Sequence, residues 1–474
     1  MTVVPNIASE RSVVTLKAKR HKIDTLDYSS GIQYEYPEIS LSTDSTPLAK
    51  PTKDSKHVLI LGAGVSGLMI AWMLLDEGYR VTIIADDWAW TKDFEKSRMA
   101  SQVAGALWEF PPGGCGLTEI ESPGKGWAAI EHYREWALQS YEFYEKYEQV
   151  FNTYERNGGS FGLKFTNLHQ FFLDDLSQLK KDHPNYEEAL KLHEIEKSPL
   201  RKDVKKYNRT TEAKKVEWNK QFDKVIEPSL NGQELKSAYS HRVPIVNTDK
   251  AMAYLMAVVT AKGAIMETRK IESDIRHELG LQLLKDHGAD AIVNATGLGA
   301  KTVAADDDVY PVRGAVRRVE NTHKGSFRHL NDAYLVPAQK DSNQHPTKTV
   351  FIVPRNDDVL YVGSIVQPNI STKNLTPDSP EVQMMWNRAG SFVKNLLHAG
   401  FVPQYEFAQG LRPFTKRNVK VRADEVAPFP LVHNYGHGGS GWTLGIGTAR
   451  CAVLILKKRL EGIPATVINE NIYG

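Results

Sequence analysis

The sequence predicts an α/β fold in which a Rossmann-like dinucleotide-binding domain is interleaved with an α+β domain built on an antiparallel sheet. Three observations predict it. The apolar run Val58 to Leu61 leads into Gly62-Ala63-Gly64-Val65-Ser66-Gly67 and then into a helical pattern. A second apolar run, Arg80 to Ala85, ends in Asp86 and Asp87. Between 310 and 366, short runs alternate in the manner of an antiparallel sheet: Val312 to Val319, Tyr334 to Val336, Val350 to Val353 and Val359 to Val362.

Each part of the first unit has a physical reason. Gly62 permits a tight turn. Gly64 lets the backbone approach a pyrophosphate, and Gly67 lets helix and strand pack closely. The helix N-terminus then offers free N–H groups to phosphate oxygens. Asp86 and Asp87 fall about 20 residues past the turn, where an acid holds a ribose hydroxyl. Ala63, Val65 and Ser66 fill the turn between these glycines.

Composition narrows the class. The chain has 474 residues, 41% hydrophobic and 24% charged, which suits a soluble globular enzyme of two or three domains' worth of core. A net charge of +2 supplies no overall field for nucleic acid or anionic membranes. Cys115 and Cys451 make neither a disulfide framework nor a metal site, so no metal is expected. Val58 to Leu75 is the longest apolar stretch, but its glycines favour strand and helix over a membrane span. The N-terminus lacks the blocks of a secretory signal and the last residues are no peroxisomal address, so the expected location is cytoplasmic.

The remaining segments follow in order. Residues 1–55 read as an N-terminal extension, with Tyr34 and Tyr36 as candidate anchors. Ser101 to Trp108 is rich in small residues that admit a flat ligand, and Pro111-Pro112-Gly113-Gly114 breaks regular structure. A helix is expected over about 125–150, where Trp127, Ile130, Tyr133, Trp136, Tyr141 and Tyr144 form an aromatic core stripe. Residues 174–222 intersperse Lys with Glu and read as a solvated helical insertion. Asn247 caps a helix over Lys250 to Ala261, which Gly263 ends. Ala291 to Gly297 is an apolar strand ending in small residues; a helix is expected over 379–399, and a Gly-rich turn at 435–441 opens a last helix to about Arg459.

The blocks GAGVSGL, SQVAGALW, NATGLGA, PVRGAV, GLRPF and HNYGHGGSGWT stand in one order along the chain. That string resembles the D-amino-acid oxidase family, flavoproteins with the glutathione-reductase-like FAD fold. The resemblance covers about 56–110 and 240–460. It implies an FAD domain assembled from 56–110, 240–300 and 405–474, and a substrate domain from 111–239 and 301–404. It implies FAD as cofactor, held at its pyrophosphate by Gly62, Gly64 and Gly67 and at its ribose by Asp86. By the same resemblance Ser101, Gln102, Gly105 and Leu107 run along the flavin, and Ile271, on an Arg269–Ile271 strand, meets the adenine. Gly438, Gly441, Trp442 and Thr443 lie under the isoalloxazine.

For the substrate, Arg412 resembles the arginine that grips the carboxylate, and the Gly439 carbonyl resembles the acceptor for the amine. A guanidinium fork suits a carboxylate and stays charged when buried. Phe351 stands where the family has a tyrosine, Thr347 where a lid tyrosine would sit, and Tyr334 is an alternative match. Val366 replaces the arginine of D-aspartate-specific relatives, so an acidic side chain has no evident partner.

The implied reaction is oxidation of the C–N bond of an amino acid or a related amine with a carboxylate. Hydride passes to flavin N5, an imine forms and hydrolyses, and dioxygen or another acceptor takes the electrons, dioxygen giving hydrogen peroxide. The alternatives are an oxidase or dehydrogenase of a secondary or N-methyl amine or of a specialised biosynthetic intermediate, and a non-catalytic flavin-binding partner protein. His437 reads as a structural or flavin-contacting histidine, since the chemistry needs orientation more than a base. No nucleic-acid or membrane partner is expected, and a monomer or a homodimer is expected.

Overall fold

The computed structural model describes residues 13–22, 33–90, 98–113, 126–154, 161–322, 326–341, 343, 347–356 and 358–474. Gly114 and Cys115 lie outside them, as does the Tyr34 side chain. Two large sheets organise the molecule.

The first sheet has six strands in the order Ile265–Thr268, Arg80–Ala85, His57–Leu61, Ala291–Asn294, Leu431–Tyr435 and Lys420–Ala423. The first five run parallel and the last antiparallel. His57–Leu61 is buried along its length, as an unbroken apolar strand must be when both sheet faces are covered. Val58 and Ile60 point into the main core with the helices Val65–Asp76 and Gly441–Leu460. Leu59 and Leu61 point the other way, toward Leu283 of the Glu278–His287 helix.

The second sheet has nine strands, running from Gln367–Pro368 through Val309–Glu320, Val359–Gly363, Val350–Pro354, Ala333–Val336, Leu163–Phe172 and Ser237–Val246 to Lys205–Asn208, with Phe407–Thr415 also paired to Val309–Glu320. All pairings are antiparallel except Ala333–Val336 against Leu163–Phe172. Its alternation separates two faces. Phe171, Tyr334, Ile352 and Val362 face a core closed by Trp218, Phe222 and Trp386. Val316, Leu335, Phe351 and Tyr239 face the first sheet's core.

Strand pairing differs from the sequence-based segmentation at two joints. Ser237–Val246 and Phe407–Thr415 are strands of the nine-stranded sheet, although 240 and 405 mark the expected start of dinucleotide-domain segments. Ile130–Tyr154 packs its Trp136 and Tyr144 into the core shared with the Gly441–Leu460 helix, although the expected segmentation places it in the other domain. Neither partner is local in sequence, so neither pairing shows in a local pattern.

Two further expectations are corrected, and the Tyr36 anchor is borne out. The 379–399 helix stops at Gly390, and a separate turn follows at Leu396–His398. The charged 174–222 segment contains helices Tyr186–Lys197 and Glu212–Phe222 but also the strand Lys205–Asn208, and it buries Ile195, Leu200, Trp218 and Phe222. Its solvated face is therefore only half of it. Residues 33–55 are fastened: Ser42 and Leu48 N–H groups donate to Asp76 at 2.8 and 3.1 Å, and the Tyr36 hydroxyl accepts from Trp136 Nε1 at 2.9 Å. Among the described residues no helix is long and apolar enough to cross a membrane.

Candidate active site

Between the two sheets lies a cavity of about 820 Å³. Its floor is the glycine turn. Gly62 has φ +104°, and a Cβ there would fall 2.5 Å from the Ala295 carbonyl oxygen. A Cβ on Gly67 would fall 2.0 Å from the Gly62 oxygen, so Gly67 is a packing glycine and does not line the cavity. Gly64 differs: the sole described heavy atom within 4 Å of a Cβ there is Ser101 Oγ at 3.4 Å. Ala63, Val65 and Ser66 line the cavity beside it, and the Val65 N–H donates to Ser101 Oγ at 3.1 Å. This is an open phosphate cradle at a helix N-terminus.

Asp86 and Asp87 line the cavity at the end of Arg80–Ala85. Burial, reinforced by the Asp86 charge, raises the Asp87 carboxyl above its ordinary range. Lys373 lines the same end and offsets part of that rise. Ile271 also lines the cavity, but from a loop: the strand ends at Thr268 instead of running through Arg269–Ile271. It packs against the cluster that holds Ile84 and Ile275.

Ser101, Gly105 and Leu107 line the middle of the cavity. Gln102 does not. It is 4% exposed, its Nε2 donates to the Ala89 carbonyl at 3.0 Å and its Oε1 accepts from Met99 N–H at 3.3 Å. Gln102 fastens the loop rather than facing a ligand. Arg355, which the sequence reading missed, holds the same loop by donating to the Ala104 carbonyl at 2.6 Å, the Gln102 carbonyl at 3.3 Å and Thr248 Oγ1.

The Gly-rich turn closes the cavity beside them. Gly438, Gly439, Gly441, Trp442 and Thr443 all line it. Gly438 has φ +57° and its N–H donates to the Pro413 carbonyl at 2.8 Å. Trp442 Nε1 donates to the Ser101 carbonyl at 2.9 Å, tying this turn to the first loop. Gly441 starts the helix Gly441–Leu460, whose N-terminus therefore opens on the cavity. His437 lines the cavity too, 6% exposed, with Nε2 3.1 Å from Thr448 Oγ1. Burial pushes its imidazole down to about 4.

The roof comes from the nine-stranded sheet. Arg412 donates to Ser364 Oγ at 2.9 Å and to the Ile365 carbonyl at 3.1 Å. Phe351 lies against Gly105, where a Cβ would fall 2.5 Å from the ring. Tyr334 is on the opposite face, 5.2 Å from the His169 ring, so the alternative tyrosine is not at the cavity; Leu335 is. Thr347 is used elsewhere, its Oγ1 donating to the Gln339 carbonyl at 3.0 Å, while Thr349 lines the cavity. Sequence reasoning missed Ser364, Leu335, Thr349 and Glu109, each of which adjoins or lies within a few residues of a singled-out block.

The donor set fits a dinucleotide: an open cradle at Gly64, an acid at the second strand's end, and a second helix N-terminus at Gly441. Comparison with known proteins agrees. The family model described as FAD dependent oxidoreductase, DAO, matches residues 57–453. A D-amino-acid oxidase of Schizosaccharomyces pombe is 23% identical over 427 residues, covering 86% of this chain and 99% of that protein. A D-amino-acid oxidase of Rubrobacter xylanophilus is 30% identical over 221 residues, covering 46% of this chain and 60% of that protein. The solved glycine oxidase of Bacillus cereus shares the fold at a TM-score of 0.59 and 16% identity, covering 88% of this chain and 98% of that one.

Proposed function

Because the chain belongs to the DAO family of FAD-dependent oxidoreductases, with FAD as its cofactor, we propose that it oxidises the C–N bond of an amino acid, or of a related amine that carries a carboxylate. The observation that carries this reading is that Arg412 and the Gly438–Thr443 turn share one cavity with the phosphate cradle at Gly64.

In this reading the six-stranded sheet holds FAD and the nine-stranded sheet roofs the substrate. Gly62, Ala63, Gly64, Val65 and Ser66 cradle the pyrophosphate, with Gly67 keeping the turn tight. Asp86 and Asp87 take the ribose, and Ile271 walls the adenine end. Ser101, Gly105, Leu107, Gly438, Gly441, Trp442 and Thr443 border the flavin, and Gln102 braces their loop. When bound, FAD would supply a hydride acceptor, with dioxygen, giving hydrogen peroxide, or another compound as the final electron acceptor.

The protein's own share is positional. Arg412 binds the carboxylate with a fork that Ser364 Oγ and the Ile365 carbonyl hold in place. The Gly439 carbonyl accepts from the amine. Phe351 and Leu335 press the reacting carbon toward the floor and exclude water. The imine leaves and hydrolyses. His437 is held neutral and buried, which suits a lining group more than a proton carrier.

A second reading is oxidation of a secondary or N-methyl amine. Its support is the roof: Phe351 brings no hydroxyl and Tyr334 faces away. Anaerobic bleaching of the flavin by D-amino acids, L-amino acids and N-methyl amines tests both. The first expects bleaching by primary amines bearing a carboxylate; bleaching by N-methyl amines alone replaces it with the second. Bleaching by none overturns both and leaves a non-catalytic flavin protein. A peroxide assay then separates oxidase from dehydrogenase.

A further inference from the structure

Beyond Leu335 the same sheet face continues, behind the cavity lining, into buried polar side chains that the reaction above does not use. Phe351, Leu335, Gln170 and Tyr239 are successive cross-strand neighbours on one face of the nine-stranded sheet. Phe351 and Leu335 line the cavity. Gln170 and Tyr239 come next, each 0% exposed. Neither the Gln170 amide nor the Tyr239 hydroxyl has a hydrogen-bond partner among the described residues. A buried polar group left unsatisfied is costly, so adjacent ones imply a polar occupant.

Charged side chains adjoin the Tyr239 hydroxyl. Glu109 lines the cavity and accepts from Lys191 Nζ at 2.5 Å. Lys191 is 1% exposed and belongs to the Tyr186–Lys197 helix of the charged segment. Glu188, one turn earlier on the same helix face, has a buried carboxylate oxygen with no hydrogen-bond partner among the described residues. Burial, more than the opposing Lys191 charge, raises the Glu188 carboxyl above its ordinary range, and the Glu109 charge adds to the rise. Glu188 and Glu109 also raise the Tyr239 phenol, after burial, so the groups act on one another. Lys191 is thus paired with Glu109 and lies one helical turn from Glu188.

We propose that this corner is a subsite for a cationic group at the far end of the substrate side chain. Its ammonium donates to Glu188 and Glu109, and Gln170 and Tyr239 complete the hydrogen bonding. An ammonium has three donors and no acceptor, which matches Glu188 Oε2, Gln170 Oε1 and the Tyr239 hydroxyl oxygen, buried without a partner among the described residues. Gln170 stands two strands from Phe351, roughly 10 Å, which sets the length of the side chain. The inference rests on the reading in which Arg412 takes the substrate carboxylate.

Straight-chain carboxylates from butyrate to nonanoate and their ω-amino counterparts test it. They lack an α-amine, so calorimetric titration of the FAD-loaded, full-length enzyme reads binding without turnover. One ω-amino chain length should bind about 10-fold tighter than its plain counterpart, a difference of about 1.4 kcal/mol. Glu188→Gln should erase most of that preference and leave butyrate binding unchanged. If no ω-amino compound binds tighter than its plain counterpart while the plain series does bind, the subsite is overturned and the Arg412 reading stands. If the preference survives Glu188→Gln, the assignment to this corner is likewise overturned. If neither series binds, the Arg412 reading falls and the subsite with it. The wild-type length series decides the question even where the variant fails to fold.

Discussion

The Arg412 guanidinium occupies the space that a side chain on Gly314 would need: a Cβ on Gly314 would fall 2.4 Å from the guanidinium carbon. The two sit on paired strands, with Val312 opposite Arg412 and Gly410 opposite Gly314. Gly314 is therefore the platform that lets the fork lie flat beneath the roof. Arg412→Lys keeps the charge and loses the fork. It should lower kcat/KM by about 10- to 1000-fold, or about 1.4 to 4 kcal/mol, with FAD content unchanged. Gly314→Ala should displace the guanidinium and lower kcat/KM in the same direction. Steady-state kinetics on the best substrate of the amine panel, with flavin absorbance for occupancy, checks both. Turnover that survives Arg412→Lys intact would move the assignment to amines without a carboxylate.

The glycines of the first turn should separate cofactor binding from folding. A Gly64 side chain would project into the cavity, whereas one on Gly67 would strike the Gly62 carbonyl at 2.0 Å. Gly64→Val should yield folded, colourless protein with the far-UV spectrum of the wild type. Gly67→Val should yield protein that fails to fold. Yellow Gly64→Val protein that releases FAD on heating would remove the cradle assignment.

Gly105 and Phe351 should behave as a coupled pair. A methyl on Gly105 would sit 2.5 Å from a ring held between strands, so Gly105→Ala must shift the roof over the substrate. We expect kcat/KM to fall about 10-fold or more while FAD is retained. Phe351→Leu added to Gly105→Ala should recover part of the loss, giving a coupling of about 0.5 to 3 kcal/mol in a double-mutant cycle. Strict additivity would show that the two residues do not share the space.

The buried histidines set a pH dependence. Burial pushes both His437 and His241 down to about 4. In the unfolded chain they titrate near 6.5, at about the ordinary imidazole value. Between those values the unfolded state binds protons that the folded state does not, so each contribution is complete above about 6.5 and is lost as pH falls toward 4. The denaturation midpoint, measured with FAD in excess, should fall from pH 7 to pH 5, and His437→Asn should flatten part of that fall. The same variant should leave kcat/KM without a lost ionisation between pH 5 and 8. An acidic limb that disappears with His437→Asn would instead make it a general base.

Much of the site was legible in the chain because its signals are local. The glycines of the first turn, the acids after Ala85 and the turn at 435–441 are each recognisable from residues only a few positions away, although Gly62 and Gly438 also meet the distant Ala295 and Pro413 carbonyls. Gln102 misled because the same short block holds ligand-facing and loop-bracing residues, and only the hydrogen bond to the Ala89 carbonyl distinguishes them. Ile271 misled because an apolar residue after a strand reads as more strand.

What the sequence by itself determined was the dinucleotide unit and the antiparallel middle region, encoded in spacing and periodicity, while the order of the blocks carried the resemblance to the family. Tertiary structure alone decided which sheet took Ser237–Val246 and Phe407–Thr415, and hence that Arg412 hangs from the roof. It alone turned Tyr334 away and brought Lys191 to Glu109, 82 residues distant in the chain. The reason is physical. A strand's pattern fixes which residues share a face, but the face's partner is chosen by long-range pairing and burial, which no local window contains.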